Sequence, residues 1–278
     1  MTRSISICIP AYNSARTVAE TLESVLAQDL DLEVVVLDNA SEDGTGDIVR
    51  SFSDPRITVH RNESVLPIGD NWNRLVGLST GSLVKIVCAD DLIAAGSVAA
   101  QADILGDPSV AIVSGKFDVV DEQGAVKETD LGLPGLCGRV EPRELMRTIV
   151  RRGPAGFGPT AAAMFRRADF DRVGGIRGDL VFPMDVDLFA RVATSGCFYG
   201  MRELVASWRD STFNLCATTS SLSKLTETLR FHHRIRSDHP RCVTWADVAA
   251  GDARLFRAGL ERVWIRSRSI PKRRVELA

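Results

Sequence analysis

Asp90 and Asp91 stand side by side at the end of an apolar run, residues 83–89 (LVKIVCA), that reads as a strand rich in aliphatic and β-branched side chains. Two adjacent anions at the end of a buried strand repel each other, and the pair is tolerable only if a cation or hydrogen-bond donors offset that repulsion. A hard divalent metal carrying phosphate oxygens would do so. The same pair also suits a solvated turn, or the cap of a helix beginning near Ala95. Two more polar stretches follow apolar runs in the same way: Tyr12-Asn13-Ser14 after residues 4–11, and Asp38-Asn39 after residues 33–37 (EVVVL). Asp185 and Asp187 fall in the first turn of a helix whose inner face is Leu188 and Val192. Acids are favourable there by about 0.3–1 kcal/mol each, so capping alone also accounts for them.

These groups need elements to position them. Residues 4–11 read as a strand broken by Pro10, and residues 17–28 as a helix with Val18, Leu22, Val25 and Leu26 on one face. Then come the strand at 33–37, a helix running to about Phe52, a short strand at 57–60, a helix at 68–78 with Trp72 and Leu75 inward, and the strand before Asp90. Strands alternating with helices imply a parallel sheet with right-handed crossovers, and such sheets bind ligands beyond the carboxyl ends of their strands. Tyr12-Asn13, Asp38-Asn39 and Asp90-Asp91 all lie at such ends, so one crevice gathers them. Neither G-x-G-x-x-G after the first strand nor GxxxxGK[ST] is present, which disfavours a nicotinamide enzyme and a P-loop ATPase. Phosphate bound without a glycine-rich cradle needs a metal on the acidic pair.

Beyond Asp91 the pattern is mixed: a helix at 95–105, a strand at 110–117, a Gly/Pro-rich passage at 132–138 and a helix at 141–150. A stretch at 153–159, too glycine-rich for regular structure, precedes a strand at 160–165. From Lys224 onward there are 13 Lys and Arg against 6 Asp and Glu, so an acidic body at −9 carries a tail at +7. Within residues 253–267, Leu255, Phe256, Leu260, Val263 and Trp264 recur at helical spacing beside Arg254, Arg257, Arg262 and Arg266, and Arg268 and Lys272-Arg273-Arg274 follow. Such a helix either lies in the headgroup region of an anionic membrane or packs its stripe on the body.

The composition, 45% hydrophobic and 25% charged over 278 residues, is that of a soluble globular chain with a sizeable core. No apolar run reaches the ~18 residues of a spanning helix, and the N-terminus lacks the apolar core and cleavage site of a secretion signal. The six cysteines form no CxxC pair and sit mostly among apolar residues, which points to free thiols in a reducing cytoplasm and away from a zinc site. The four histidines, His60, His232, His233 and His239, have no metal spacing.

Four ordered blocks, SISICIPAYNSARTVAETLESVLAQ, VVVLDNASEDGT, GDNWNRLVGLSTGSLVKIVCADD and FPMDVDLFARVATSG, make residues 4–210 resemble the family-2 inverting glycosyltransferases of the GT-A fold. The resemblance implies an α/β GT-A (nucleotide-diphospho-sugar transferase) fold, a Rossmann-like mixed sheet flanked by helices, to which the chain adds a helical C-terminal extension. It implies a catalytic domain over 1–214, with a nucleotide-sugar-binding half (1–92) and an acceptor-binding half (93–214); the helical basic extension 215–278 lies beyond the resemblance and rests on the charge and helical pattern of the tail. The implied activity is transfer of a sugar, with inversion, from a UDP- or dTDP-sugar to a hydroxyl of a glycan or glycolipid. The implied setting is bacterial cell-surface polysaccharide synthesis, in the cytoplasm or peripherally on the inner face of the plasma membrane, with no nucleic-acid partner. Asp38 with Asn39 would contact the base or ribose, and Pro10 and Tyr12 would line the base pocket. Asp90 and Asp91 would hold the ribose and the metal, Mg2+ or Mn2+, with Asp91 as the metal ligand, and Asp185 would be the catalytic base. Three positions depart from the family pattern. Cys88 stands where many relatives have another acid, Met184 where they have an acid before the base, and Asp210-Ser211-Thr212 where a histidine follows Trp208-Arg209. These departures would mark the alternative reading, a sugar-nucleotide-binding protein that has lost catalysis. A nucleotidyltransferase of similar fold lacks support, because its glycine-rich first loop with an embedded arginine is missing.

Overall fold

The computed structural model describes residues 4–269, with side chains to residue 258 other than that of Ala155. Strands alternating with helices open the chain: β1 (Ile5–Ala11), α1 (Val18–Leu26), β2 (Glu33–Asp38), α2 (Thr45–Ser51), β3 (Ile57–Arg61), α3 (Ile68–Leu78) and β4 (Leu83–Ile86). The middle holds β5 (Leu92–Ile93), α4 (Ser97–Ile104), β6 (Val110–Val120), β7 (Val126–Leu131), β8 (Gly138–Val140) and α5 (Pro142–Arg152). After it come β9 (Met164–Arg166), α6 (Arg167–Arg172), α7 (Met184–Val192), β10 (Cys197–Arg209), α8 (Leu215–Thr218), α9 (Ser221–Asp238) and α10 (Trp245–Ser269).

One mixed sheet, in the order β3-β2-β1-β4-β9-β6-β10-β5, runs through both halves of the chain, with β7 on β6 and β8 on β10. The first four strands are parallel, β9 is antiparallel to both its neighbours, and β10 runs parallel to β6. The period of two decides what each face buries. Ile7, Ile9, Val34 and Val36 face a core closed by α1 and α4, while Cys8, Val35, Leu37, Val84 and Ile86 face the core under α3, α5 and α7. Because β1 pairs with β2 on one side and β4 on the other, the loops leaving β1 and β4 diverge and open a crevice at their carboxyl ends.

Two sequence expectations need correction. The run 83–89 is a strand only to Ile86. Val87 N still donates to Cys8 O, but Asp91 N turns back to Cys88 O at 3.0 Å, so the two aspartates sit in a turn. The stretch 160–165 is not a continuous strand: Thr160–Ala162 coil into a 3-10 turn, with Ala162 N bonded to Pro159 O, before β9 begins. The glycine-rich stretch before it holds a second such turn, Pro154–Phe157.

The basic tail is anchored at its near end. Thr244 and Asp247 form a reciprocal cap at the start of α10, and a Cβ on Gly251 would meet Val150 O of α5 at 2.3 Å, so these two helices pack backbone to backbone. Leu255 is half-buried and Phe256 exposed. The side chains of Leu260, Arg262, Val263, Trp264, Arg266 and Arg268, and all of Lys272-Arg273-Arg274, lie outside the described residues. No helix among the described residues is long and apolar enough to cross a membrane.

Lys85 breaks the apolar pattern of β4. It faces the same core as Leu83 and Val87, has no exposure, and reaches Gln101 Oε1 of α4 at 2.7 Å, while Gln101 Nε2 holds Ala162 O at 2.8 Å. Burial pushes its ammonium down to about 7. Above that value the folded chain has shed a proton that the unfolded chain keeps up to its ordinary 10.5, so this group makes stability rise with pH across that window. Urea denaturation across the window should therefore find Lys85→Met most stabilised relative to wild type near neutrality. Its advantage should shrink steadily as pH rises.

Candidate active site

The loops leaving β1 and β2 are stitched to each other at the crevice mouth. Asn13 takes a left-handed backbone (φ 48°), which asparagine tolerates, and its N–H donates to Ser41 Oγ at 3.0 Å while its Oδ1 accepts from Glu42 N at 3.0 Å. Ser14 N donates to Thr45 Oγ1 at 2.8 Å. This fixes Pro10, Tyr12 and Asn39 along one wall of a cavity of about 920 Å³. Tyr12 is 51% exposed and presents its ring to solvent. The Asn39 amide is engaged behind the wall, where Oδ1 accepts from Asn62 Nδ2 and Leu66 N and Nδ2 donates to Leu66 O. Asp38 is buried; it accepts from Ser41 N at 2.8 Å and pairs with Arg61, and it does not line the cavity.

The turn after β4 brings Asp90 into this cavity and both aspartates into a second, smaller one of about 440 Å³. Arg209, at the end of β10 and without exposure, holds the turn. Its N–H donates to Asp91 Oδ1 at 3.3 Å and its Nε to Asp90 O at 3.0 Å, while Nη1 reaches Asp121 O and Glu122 O and Nη2 pairs with Glu20 of α1. Even so, burial and then the neighbouring Asp90 push the Asp91 carboxyl well above the ordinary range, against the pull of Arg209. Burial likewise raises Asp90.

Asp185 faces the smaller cavity from the first turn of α7. Its Oδ2 accepts from Thr160 Oγ1 at 2.8 Å, its Oδ1 from Val186 N at 2.7 Å, and burial raises it despite these bonds. Asp187, two residues on, turns the other way: 1% exposed, it pairs with buried Arg191 at 2.9 Å. The two cavities meet along Ile68, Trp72, Cys88, Asp90, Asn214 and Leu215. Elsewhere the smaller one is walled largely by apolar side chains such as Phe117, Val119, Phe182 and Trp208.

The structure thus brings Pro10, Tyr12, Asn39, Asp90, Asp91 and Asp185 around two joined cavities, and sets Asp38 behind them. The acid pair fits a divalent cation. Cys88, Asp90 and Asp91 each offer a donor atom within 4.8 Å of the others, and Asp91 Oδ2 accepts no hydrogen bond from a described residue. Residue patterns alone did not single out Arg16, Thr160 or the clamp role of Arg209. Arg16 lines the larger cavity and stacks on Phe213, with 4.2 Å from its guanidinium carbon to the ring centroid. Thr212 is bonded to Glu122 through its N–H and hydroxyl and lines neither cavity. The signal for Thr160 is the proline before it and the 3-10 turn it opens, which only the fold connects to Asp185.

Residues 6–174 match the family model described as glycosyl transferase family 2. The succinoglycan biosynthesis protein ExoU of Rhizobium meliloti is 30% identical over 203 residues, 70% of this chain and 58% of ExoU. The chain spans about three fifths of the length of the curated relatives it matches. Among solved structures, S. aureus TarS in complex with UDP-GlcNAc superposes with a TM-score of 0.65 at 18% identity, covering 82% of this chain and 65% of that one. The mannosyltransferase PcManGT from Pyrobaculum calidifontis, in complex with GDP-Man and Mn2+, gives 0.60 at 22% identity, covering 91% and 69%. Both share the fold of this chain.

The environments of the two α7 carboxylates separate them experimentally. Asp187→Asn removes one partner of a buried ion pair and should cost about 3 kcal/mol, read as a lower melting temperature. Asp185 contributes stability fully below the ordinary carboxylate value of 3.8, because its folded form favours the proton, and that contribution is lost as pH rises from there through its raised folded-state value. Asp185→Asn should therefore melt at or above the wild-type temperature at neutral pH, and the same thermal scans report both outcomes.

Proposed function

The chain belongs to glycosyl transferase family 2, with the GT-A architecture, and we propose that it transfers a sugar, with inversion, from a UDP- or dTDP-sugar to a hydroxyl of a glycan or glycolipid acceptor. The setting we infer is the synthesis of a bacterial cell-surface polysaccharide on the cytoplasmic side of the membrane, in line with the likeness to a succinoglycan biosynthesis protein. The observation that carries the reading is the shared wall of the two cavities. A donor in the larger one passes its diphosphate over Asp90, and what lies beyond arrives beside Asp185.

In this reading Pro10, Tyr12 and the Asn39 backbone line the base site in the 1–92 half, and Asp38 shapes that wall from behind through Ser41 and Arg61. Asp90 and Asp91 hold a divalent cation, Mg2+ or Mn2+, which when bound supplies Lewis-acid stabilisation to the diphosphate. Arg16 adds a positive side chain to the wall of the same cavity. The 93–214 half supplies Asp185. As the acceptor oxygen forms its bond to the anomeric carbon, its proton passes to Asp185, and the bond to the nucleoside diphosphate breaks with its electron pair leaving on the phosphate. Thr160 and Val186 N orient the two Asp185 oxygens, and burial makes the carboxylate a stronger base than an exposed one. The basic residues 215–278 keep the enzyme near an anionic surface.

Calorimetry should find UDP or dTDP binding that needs a divalent cation and is lost in Asp91→Ala, because neutral side chains replace an anionic oxygen ligand poorly. Equal, cation-independent binding to both proteins would refute the site. With a panel of sugar nucleotides, Asp185→Asn should bind donor almost normally and turn over at least ~10²-fold more slowly. The wild-type rate should rise with pH along an acid limb above the ordinary aspartate value of 3.8. Donor binding without hydrolysis or transfer by the wild type would favour the inactive binding protein instead.

A further inference from the structure

Cys88 occupies the junction of the two cavities, and its Sγ lies within 4.8 Å of a carboxylate oxygen of Asp90 and one of Asp91. Metal–oxygen and metal–sulfur bonds of about 2.1 and 2.3 Å hold two ligands at most about 4.4 Å apart, so small side-chain rotations bring a trio this close onto one ion. A separate observation asks for that ion. Asp91 is 2% exposed, its Oδ1 takes one N–H from Arg209 at 3.3 Å, and its Oδ2, in a carboxylate lining the smaller cavity, accepts no hydrogen bond from a described residue. A carboxylate drawn this far out of water, with one long hydrogen bond and its other oxygen open to the cavity, is costly unless a cation meets it.

We propose that Cys88 binds the divalent cation directly, together with Asp90 and Asp91, and that its sulfur makes the site prefer thiophilic ions such as Zn2+, Co2+ and Cd2+ over Mg2+. Carboxylates with water suit Mg2+, whereas thiolate selects the softer ions. The step is a ligand exchange without redox change: the S–H bond breaks, its proton goes to solvent, and a sulfur–metal bond forms. Without the cation, burial and then Asp91, Asp90 and Asp185 keep the thiol protonated; a bound cation reverses that field and deprotonates a coordinating thiol. The proposal depends on the donor-site reading above. Cys216 of α8 lines the smaller cavity too and is the internal control.

The test is a Co2+ titration of the full chain under reducing conditions, with UDP or dTDP present, read by absorption. A near-ultraviolet sulfur-to-cobalt charge-transfer band should grow in with the wild type and with Cys216→Ser, and be missing from Cys88→Ser. Competition with Mg2+ should shift at least ~10-fold toward Mg2+ in Cys88→Ser, as expected when a metal's protein shell loses a member. The wild-type spectrum is decisive by itself: nucleotide-dependent Co2+ binding without the band overturns sulfur ligation and leaves the donor site standing. A band that survives Cys88→Ser, or disappears with Cys216→Ser, also overturns it. Failure of Co2+, Mn2+ and Mg2+ alike to bind with nucleotide in any variant would overturn the donor-site reading itself.

Discussion

Arg209 makes it possible to set two adjacent carboxylates, Asp91 buried and Asp90 half-buried, in the turn after β4. Its guanidinium has no exposure and satisfies three backbone carbonyls, at Asp90, Asp121 and Glu122, while pairing with Glu20. One side chain thereby ties the end of β10 to α1, to the β4 turn and to the loop after β6. The charge balance still runs negative, because one guanidinium faces Glu20, Asp90 and Asp91 with Asp185 nearby. Burial raises both carboxyl groups, the charge of Asp90 adds to it at Asp91, and this is the electrostatic reason that the acid pair suits a cation.

The same logic divides the carboxylates of α7. Asp187 has a buried arginine and is part of the scaffold, whereas Asp185 has only neutral donors, a threonine hydroxyl and a backbone N–H, and keeps a raised proton affinity. Two acids in one helical turn therefore play different parts because of what each side of the helix packs against. Lys85 extends the chain of contacts behind the site: through Gln101 it pins Ala162, at the far end of the turn that presents Thr160 to Asp185.

Much of this was legible in the residues. The period of two in SISICIPA and EVVVLD, and the helical stripes of Val18-Leu22-Val25 and Trp72-Leu75, placed the first strands and helices, because there local pattern and burial agree. The polar tails of those strands had to converge once the strands were parallel. What escaped was set by distant partners. The strand β10 was not read at all, because its register shifts against β6 disrupt any clean alternation over CFYGMRELVASWR, and with it went the role of Arg209. The strand β9 is three residues long and is defined by its neighbours. The lysine inside β4 and the inward turn of Asp38 depend on Gln101 and Arg61, neither of which has a sequence signature near its partner.

A crystal structure of the protein with a nucleoside diphosphate and Mn2+ tests the donor site most directly. The predicted result is a base beside Pro10, Tyr12 and Asn39, and a diphosphate reaching the ion at Asp90 and Asp91 with its terminal phosphate toward Asp185. A nucleotide bound away from this crevice, or one whose phosphates and ion avoid Asp90 and Asp91, would contradict it.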